Sequence, residues 1–388
     1  MTPTKPIKVT HIITGLNTGG AERALYNLLA SDFSSKYDCS VISLIDEGSY
    51  GNKIRALGIP VHSMKMRTDL SIFRSILSLR SIIKKLAPDV LQGWMYHGNL
   101  AATVAKYFCS GEVVLAWNIR HSLYELKSET FITRQIIKTN KFLSAKADAI
   151  FYNSQISRLQ HEQFGFDSNQ SILNPNGFDT SFLKPSLEKR EIIRKELDIS
   201  DHDTVIGHVA RFHPMKDHAS FIKAAIMVMS ERSDVIVLMI GREVKTHTEF
   251  LLSQLPESLT SRFYFLGERS DVYDLMQSMD AFCLSSAWGE GFPNVLGEAM
   301  SMSVPCITTD IADSSEIVGK TGIVVPPGEP KKLADAIFTF LNLTSSEKAA
   351  LGRAARQRIE EKYLMRINVE RYEAAYEELS KYSAAPTI

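Results

Sequence analysis

The sequence alternates between short apolar runs rich in β-branched residues and longer segments with apolar residues at helical spacing. The runs predict buried strands, and the longer segments predict helices that cover a sheet. A first series of predicted strands lies at 8–13, 39–44, 90–92, 113–117 and 149–153. A second series lies at 171–173, 204–209, 235–240, 263–266, 281–284 and 305–308. This strand–helix–strand order predicts parallel sheets of the α/β class.

Two such series in 388 residues predict two Rossmann-like domains. Asparagine, proline and glycine at 174–177 form a turn signal, which predicts a boundary there. We therefore expect an N-terminal domain at 1–172 and a C-terminal domain at 173–364, followed by a last amphipathic helix within about 365–388.

Composition excludes several classes of protein. Apolar residues make up 44% of the chain, which suffices for two cores, but no apolar run approaches the roughly 18 residues needed to span a bilayer. Residues 1–8 lack the apolar stretch of a secretory signal. The four cysteines are far apart and form no Cys-x-x-Cys pair, which argues against zinc or disulfides and fits a reducing cytosol.

The net charge of zero hides an asymmetry between the two halves. Residues 1–172 carry 20 Lys and Arg against 13 Asp and Glu, whereas the rest carries 24 against 31. Segments 62–85 and 120–146 each combine six basic residues with apolar residues at helical spacing. Such a helix can rest on anionic lipid, or it can face the core with a solvated basic side. No recognised nucleic-acid motif accompanies the charge, so nucleic acid is not an expected partner.

The loop after the first predicted strand contains Gly15, Gly19 and Gly20 and leads into a helix. Glycines let the backbone approach a ligand, and a helix N-terminus offers N–H groups to an anion. The loop is not a dinucleotide fingerprint, because Asn17 stands at the second glycine position. An ordinary tight turn would look similar.

The loop at 209–218 follows the first strand of the second domain and carries Arg211 and Lys216. Open α/β sheets bind ligands at the carboxyl ends of their strands. Arg211 offers a planar fork and Lys216 a mobile point charge, a combination that suits a diphosphate. A surface loop with a salt-bridged arginine is the alternative.

The most specific pattern is a pair of glutamates, Glu290 in a glycine-rich loop and Glu298 on the helix that the loop opens. Pro293 suits the first helical turn. The N–H groups of Asn294 and Val295 would then point toward an anion. A surface capping arrangement is the alternative, but the glycines and apolar neighbours fit it poorly.

Together these loops and the 174–179 turn resemble the family 4 glycosyltransferases, in matching order from about residue 8 to 380. The resemblance implies the GT-B fold, in which two Rossmann-like domains with parallel sheets face each other across a crevice. It implies a nucleotide sugar held mainly by the C-terminal domain, and a last helix that packs back on the N-terminal domain.

The resemblance also implies the role of each matching residue. Arg211 and Lys216 would hold the diphosphate, Glu290 the donor sugar and Glu298 the ribose, with His121 at the donor sugar. Further donor contacts would come from Gly291, Phe292, Pro293, Asn294 and Val295 at the sugar and phosphates, Gly267, Glu268 and Arg269 near the base, and Gly19 and Gly20 at the diphosphate. His97 and Asn17 are candidate acceptor contacts.

Two segments depart from the family pattern or imitate another one. Gly241-Arg242-Glu243 stands where the family often has Gly-x-Gly, so contacts there are not carried over. Asp201-His202-Asp203 resembles a metal-binding motif, but it precedes a strand and predicts a solvated loop.

The expected reaction is therefore sugar transfer with retention of anomeric configuration, by front-side attack and without a metal cofactor. The donor would be a nucleotide-diphosphate sugar, UDP-linked in the family's commonest case, and the acceptor a glycan or lipid-linked saccharide. The expected setting is the cytoplasmic face of the membrane, in surface polysaccharide or lipopolysaccharide biosynthesis. The alternatives are an inactive sugar-nucleotide binding protein and a Rossmann oxidoreductase, although the latter would need the missing fingerprint.

Overall fold

The computed structural model describes residues 6–66, 72–124 and 126–383. The chain divides into two units, one formed by the residues up to Gly177 together with those from Met365 onward, and the other by Phe178–Leu364. Residues 67–71, which belong to the first basic segment, and residues 384–388 of the expected last helix lie outside the described residues.

In the described part of the first unit, the strands form one parallel sheet with the order β3-β2-β1-β4-β5-β6-β7. The strands are β1 Lys8–Ile13, β2 Asp38–Ser43, β3 Val61–Ser63, β4 Val90–Trp94, β5 Val114–Ile119, β6 Ala149–Tyr152 and β7 Ser171–Leu173. The helices between them are α1 Gly20–Ala30, α2 Phe33–Lys36, α3 Gly48–Ala56, α4 Ile72–Leu86, α5 Met95–Lys106, α6 Phe131–Leu143 and α7 Gln155–Phe164.

Both faces of this sheet are buried. Val9 and Ile13 of β1 pack with α1 on one face, whereas Ile12 packs on the other face with α4 and α5. This alternation follows from the two-residue period of a strand. The last helix of the described chain, Met365–Ser383, also belongs to this unit, because its Tyr372 and Tyr376 are fully buried against the first face.

The strand at 171–173 corrects one expectation. We expect it among the strands of the second domain, but it pairs with β6 through Ile150↔Ser171 and Tyr152↔Leu173. It is the last strand of the first sheet, and among the described strands it is bonded to β6 alone. The expected boundary after residue 172 therefore cuts through β7, and the division between the units falls after Gly177.

The second unit is a separate parallel sheet with the order β10-β9-β8-β11-β12-β13 among the described residues. Its strands are β8 Thr204–Val209, β9 Val235–Ile240, β10 Phe263–Gly267, β11 Ala281–Leu284, β12 Cys306–Thr309 and β13 Gly322–Val325. Its helices are α8 Leu187–Glu196, α9 His218–Glu231, α10 Thr248–Leu252, α11 Val272–Gln277, α12 Asn294–Ser301, α13 Ser314–Val318, α14 Pro330–Leu341 and α15 Ser345–Lys362. The helix Met365–Ser383 of the first unit comes last in the chain and is numbered α16. Two all-parallel sheets confirm the α/β class.

Each strand order contains one point where the direction of winding reverses. In the first sheet the reversal lies between β1 and β4, and in the second sheet between β8 and β11. The chain connections that follow the two strands at this point run in opposite directions. This opens a crevice at the carboxyl ends of the strands, where α/β sheets bind ligands. The Gly19–Gly20 loop follows β1, the Arg211 loop follows β8, and the loop with Glu290 follows β11.

Candidate active site

The Arg211 loop leaves β8 at the reversal point of the second sheet. Pro214–Lys216 forms a 3-10 turn, and Asp217 then begins α9 by accepting the Ser220 N–H at 3.1 Å. The Arg211 side chain is exposed, and among the described residues its one hydrogen bond runs from Nη2 to the Met215 Sδ, at 3.7 Å. The guanidinium is therefore available for a ligand.

Lys216 joins this loop to the loop at 287–293, which contains Glu290 and is called the glutamate loop below. Its ammonium forms an ion pair with the Glu290 Oε1, although the two residues are 74 positions apart. Both side chains are mostly buried. The Ser286 hydroxyl donates to the same Glu290 oxygen at 2.6 Å. The structure thus brings two of the expected catalytic residues into direct contact.

The glutamate loop is also fixed by its backbone. The Ala287 N–H donates to the Met215 carbonyl at 2.8 Å, which ties this loop to the Arg211 loop. Gly289 has φ +75°, a left-handed conformation that favours glycine. A Cβ there would also approach the Met215 Cε to 3.2 Å.

Helix α12 begins one residue later than expected. Its first residue is Asn294, so Pro293 occupies the N-cap position and not the first turn. Glu298 lies on its second turn and is buried, and the Tyr273 hydroxyl donates to its Oε1 at 3.5 Å. The Phe292 ring packs against Phe178 and Tyr363, so only the Phe292 backbone is suited to a ligand.

The segment after β10 holds its charged residues in ion pairs. Glu268 lies 3.4 Å from the exposed Arg242. Arg269 donates to both carboxylate oxygens of Asp271, at 2.7 and 2.6 Å, and this pairing lowers the pKa of Asp271. Gly267 has φ +71° and accepts the Gly241 N–H at 2.7 Å. The Arg269 side chain is therefore already engaged within the protein.

In the first unit, the Gly19–Gly20 loop already faces a carboxylate of the chain itself. Gly20 is the first residue of α1, and a Cβ on Gly19 would come within 2.3 Å of the Glu22 Oε2. Burial raises the pKa of Glu22. Asn17 donates from its Nδ2 to Asp46 at 2.9 Å. An anion at this helix start would have to be bound beside Glu22.

His121 has a partner that no sequence pattern indicates. Its Nε2 lies 3.1 Å from the Glu129 Oε1, and this hydrogen bond is the largest cause of the lowered pKa of Glu129, opposed by desolvation. The charge of Glu129 also acts on His97, whose own pKa is lowered by burial. His97 lies in the first turn of α5, which follows β4 without a loop. His121 and Glu129 thus form a hydrogen-bonded pair, and the charge of Glu129 is felt at His97.

The described residues include neither a metal-binding cluster nor a membrane-spanning helix. No group of three His, Cys, Asp or Glu side chains is arranged as metal ligands would be. No described helix combines the length and the apolar character that a bilayer crossing requires. Asp201 and His202 are exposed before β8, at the opposite end of the strand from Arg211.

Comparison with known proteins places these features in a family. A family model described as Glycosyltransferase Family 4 matches residues 18–182, and one described as Glycosyl transferases group 1 matches residues 203–342. EpsF of Bacillus subtilis is 26% identical over 367 residues, which is 91% of each chain. The UDP-Gal:alpha-D-GlcNAc-diphosphoundecaprenol alpha-1,3-galactosyltransferase of Escherichia coli is 23% identical over 69% of each chain.

The solved structure of Anabaena HepE in complex with UDP is 21% identical, covers 97% of this chain and 100% of its own, and has a TM-score of 0.82. HepE has also been solved with UDP-glucose. The fold is thus that of the GT-B glycosyltransferases, and the chain is a glycosyltransferase. Within that class it belongs to glycosyltransferase family 4.

Proposed function

We propose that this glycosyltransferase retains anomeric configuration and moves a sugar from a UDP-linked donor to a lipid-linked saccharide. The observation that carries the proposal is the Lys216–Glu290 contact. It joins a cationic loop to a carboxylate loop at the reversal point of one sheet, next to the start of α12. Cations and helix N–H groups suit a diphosphate, and a buried carboxylate suits sugar hydroxyls.

In this proposal Arg211, Lys216 and the first turn of α12 bind the diphosphate, Glu290 binds the donor sugar, and Glu298 binds the ribose. The backbone around Gly267 borders the base. UDP is supported as the nucleotide by HepE, which binds UDP and UDP-glucose, and by the Escherichia coli relative, whose name gives UDP-Gal as donor. The acceptor class is proposed from the diphosphoundecaprenol-linked saccharide in that same name.

The chemistry follows from charge. The bond between the sugar anomeric carbon and the phosphate oxygen breaks, and negative charge develops on the leaving diphosphate. Arg211, Lys216 and the α12 N-terminus stabilise that charge as preorganised donors, so no divalent metal is needed. The acceptor hydroxyl attacks from the same face, forms the new bond, and gives its proton to the leaving phosphate oxygen. Glu290 positions the sugar and is not a covalent nucleophile.

We also propose that the first unit contacts anionic membrane through α6. Phe131 and Phe142 of this helix are 68% and 79% exposed. They lie about three helical turns apart on one side, with the exposed Lys138 between them. Exposed aromatic and basic residues on one helix face are typical of peripheral membrane binding. The proposed location of the protein is therefore the cytoplasmic face of the membrane.

A thermal-shift comparison tests the donor proposal. The protein would be measured with UDP, GDP, ADP and their sugar conjugates, with and without EDTA. We expect UDP and a UDP-sugar to raise the melting temperature by several degrees, because a ligand at a hundred times its Kd contributes about 2.7 kcal/mol. EDTA should leave that shift unchanged. A protein that no nucleotide stabilises at millimolar concentration would contradict the donor assignment.

A further inference from the structure

Two consecutive serines at the end of β11 are fully enclosed in the second unit, and the reaction described above uses neither of them. Ser285 and Ser286 are both buried. Successive residues of an extended chain point to opposite sides, so the two hydroxyls serve different neighbours. One contacts the Arg211 loop and the other contacts the glutamate loop.

Ser285 holds the backbone at Lys216. Its hydroxyl donates to the Lys216 carbonyl at 2.8 Å and lies 3.2 Å from the Asp217 carbonyl. The His208 Nε2 lies 3.1 Å from the same hydroxyl and donates to it, since the serine proton is already used. His208 is buried, and burial lowers its pKa well below the ordinary value, so the imidazole is neutral.

Ser286 holds the carboxylate of Glu290. Its hydroxyl donates to Oε1 at 2.6 Å, and Oε1 also receives the Lys216 ammonium. The Ser286 carbonyl accepts the Thr309 hydroxyl at 2.6 Å, which fixes the serine itself to the end of β12. Within the described part of the chain, no hydrogen bond engages the other oxygen, Oε2, which leaves it to accept from a ligand.

We propose that Ser285 and Ser286 are positioning residues that fix the two halves of the donor site separately. Ser286 orients Glu290 so that Oε1 is held by the protein and Oε2 meets the hydroxyls of the donor sugar. Ser285, supported by His208, places Lys216 at the diphosphate. This inference rests on the proposed donor roles of Glu290 and Lys216, and it assigns a different binding defect to each serine.

The test compares UDP with UDP-glucose as calorimetric probes of the full chain. Ser286→Ala should weaken UDP-glucose binding about tenfold and leave UDP binding within twofold, because only the sugar meets Glu290. Ser285→Ala should weaken both ligands by similar factors, because both contain the diphosphate. Ser286→Thr keeps the hydroxyl and should retain most of the UDP-glucose affinity.

A double variant separates positioning from general damage. In a Glu290→Ala background, Ser286→Ala should have no further effect on UDP-glucose binding, since the carboxylate that it orients is gone. Equal losses of UDP and UDP-glucose in Ser286→Ala, or no loss of either, would overturn the inference while the donor proposal stands. A wild-type protein that binds neither probe would overturn the donor proposal, and this inference with it.

Discussion

Lys216 and Glu290 carry opposite charges and have little contact with water. Substituting either one therefore leaves the charge of the other buried without a partner. A donor diphosphate would compete with Glu290 for the Lys216 ammonium or share it. Arg211 is different, because it is exposed and meets no carboxylate among the described residues. The two cations should therefore respond differently to substitution, even though we propose that both bind the same diphosphate.

Arg211→Ala and Lys216→Ala should each lower the rate of sugar transfer by about 10²-fold or more, because each removes a donor that stabilises the leaving diphosphate. The measurement is kcat with a UDP-sugar donor and a saccharide acceptor. Arg232→Ala is a matched control, since Arg232 pairs with Asp234 before the amino end of β9 and should leave kcat unchanged.

Stability separates a chemical effect from a structural one in these variants. Lys216→Ala leaves a buried carboxylate without its cation, which costs on the order of 3 kcal/mol and should lower the melting temperature. Arg211→Ala should leave it unchanged, because the side chain is exposed. Near-normal turnover in both variants would refute the assignment of the diphosphate site.

Part of the site can be predicted from sequence and part cannot. Arg211, Lys216, Glu290 and Glu298 lie in local patterns of glycine, proline and charge at strand ends, so the sequence indicates them. The Glu129 carboxylate beside His121 has no such pattern, because it lies eight positions further along the chain and follows no strand. Which candidates touch depends on the order of strands in the sheet, and that order is a long-range property.

At the scale of elements, most strands are found from sequence within two residues of their observed ends, as Lys8–Ile13 and Val235–Ile240 show. Val61–Ser63 and Gly322–Val325 are missed, because each is short and lies at a sheet edge. The location of β7 is misjudged because it follows the same local pattern as the strands of the second unit. Only pairing with β6 decides its sheet.

Helix α6 offers a prediction about membrane contact. Its two exposed phenylalanines each have a cation beside the ring, Arg134 at 6.0 Å from Phe131 and Lys141 at 5.9 Å from Phe142. We expect the protein to float with liposomes that contain anionic lipid and not with neutral ones, because each nearby basic residue contributes about 1 kcal/mol of attraction.

The double variant Phe131→Ser with Phe142→Ser should lose this flotation, because it removes the apolar contact and keeps the charge. Leu187→Ser is the matched control, since Leu187 is 77% exposed on α8 of the second unit and should not affect lipid binding. Flotation that is indifferent to lipid charge, or that survives the double variant, would remove the case for α6.

For the whole molecule, buried neutral histidines link stability to pH. Burial lowers the pKa of His11 to about 3 and that of His161 to about 4 in the first unit. In the second unit it lowers the pKa of His218 to about 4 and that of His208 well below the ordinary value. At His161 burial is the main cause, and the hydrogen bond from its Nδ1 to the Ser157 carbonyl at 2.7 Å opposes the shift, while its Nε2 lies 2.8 Å from the Tyr96 hydroxyl.

The sign of the pH effect follows from where protons bind. Below the ordinary histidine pKa of about 6.5 the unfolded chain takes up protons that the folded protein refuses, so acid favours unfolding. The stabilisation is complete above about pH 6.5 and declines as the pH falls, until the folded histidines also titrate near pH 4. Each such histidine should remove about 1.4 kcal/mol from the free energy of unfolding between pH 8 and pH 5.5.

We therefore expect the melting temperature, measured by calorimetry, to fall markedly from pH 8 to pH 5.5 in the transitions of both units. His161→Gln should be less stable than the wild type at pH 8, because it loses a packed hydrogen-bonded ring. It should nevertheless show a smaller further loss on acidification, since one titrating group has been removed. His202→Gln is the control, because His202 is exposed in the loop before β8 and should leave the pH dependence unchanged. If His161→Gln loses stability with falling pH as steeply as the wild type does, the buried histidines are not the source of the acid sensitivity.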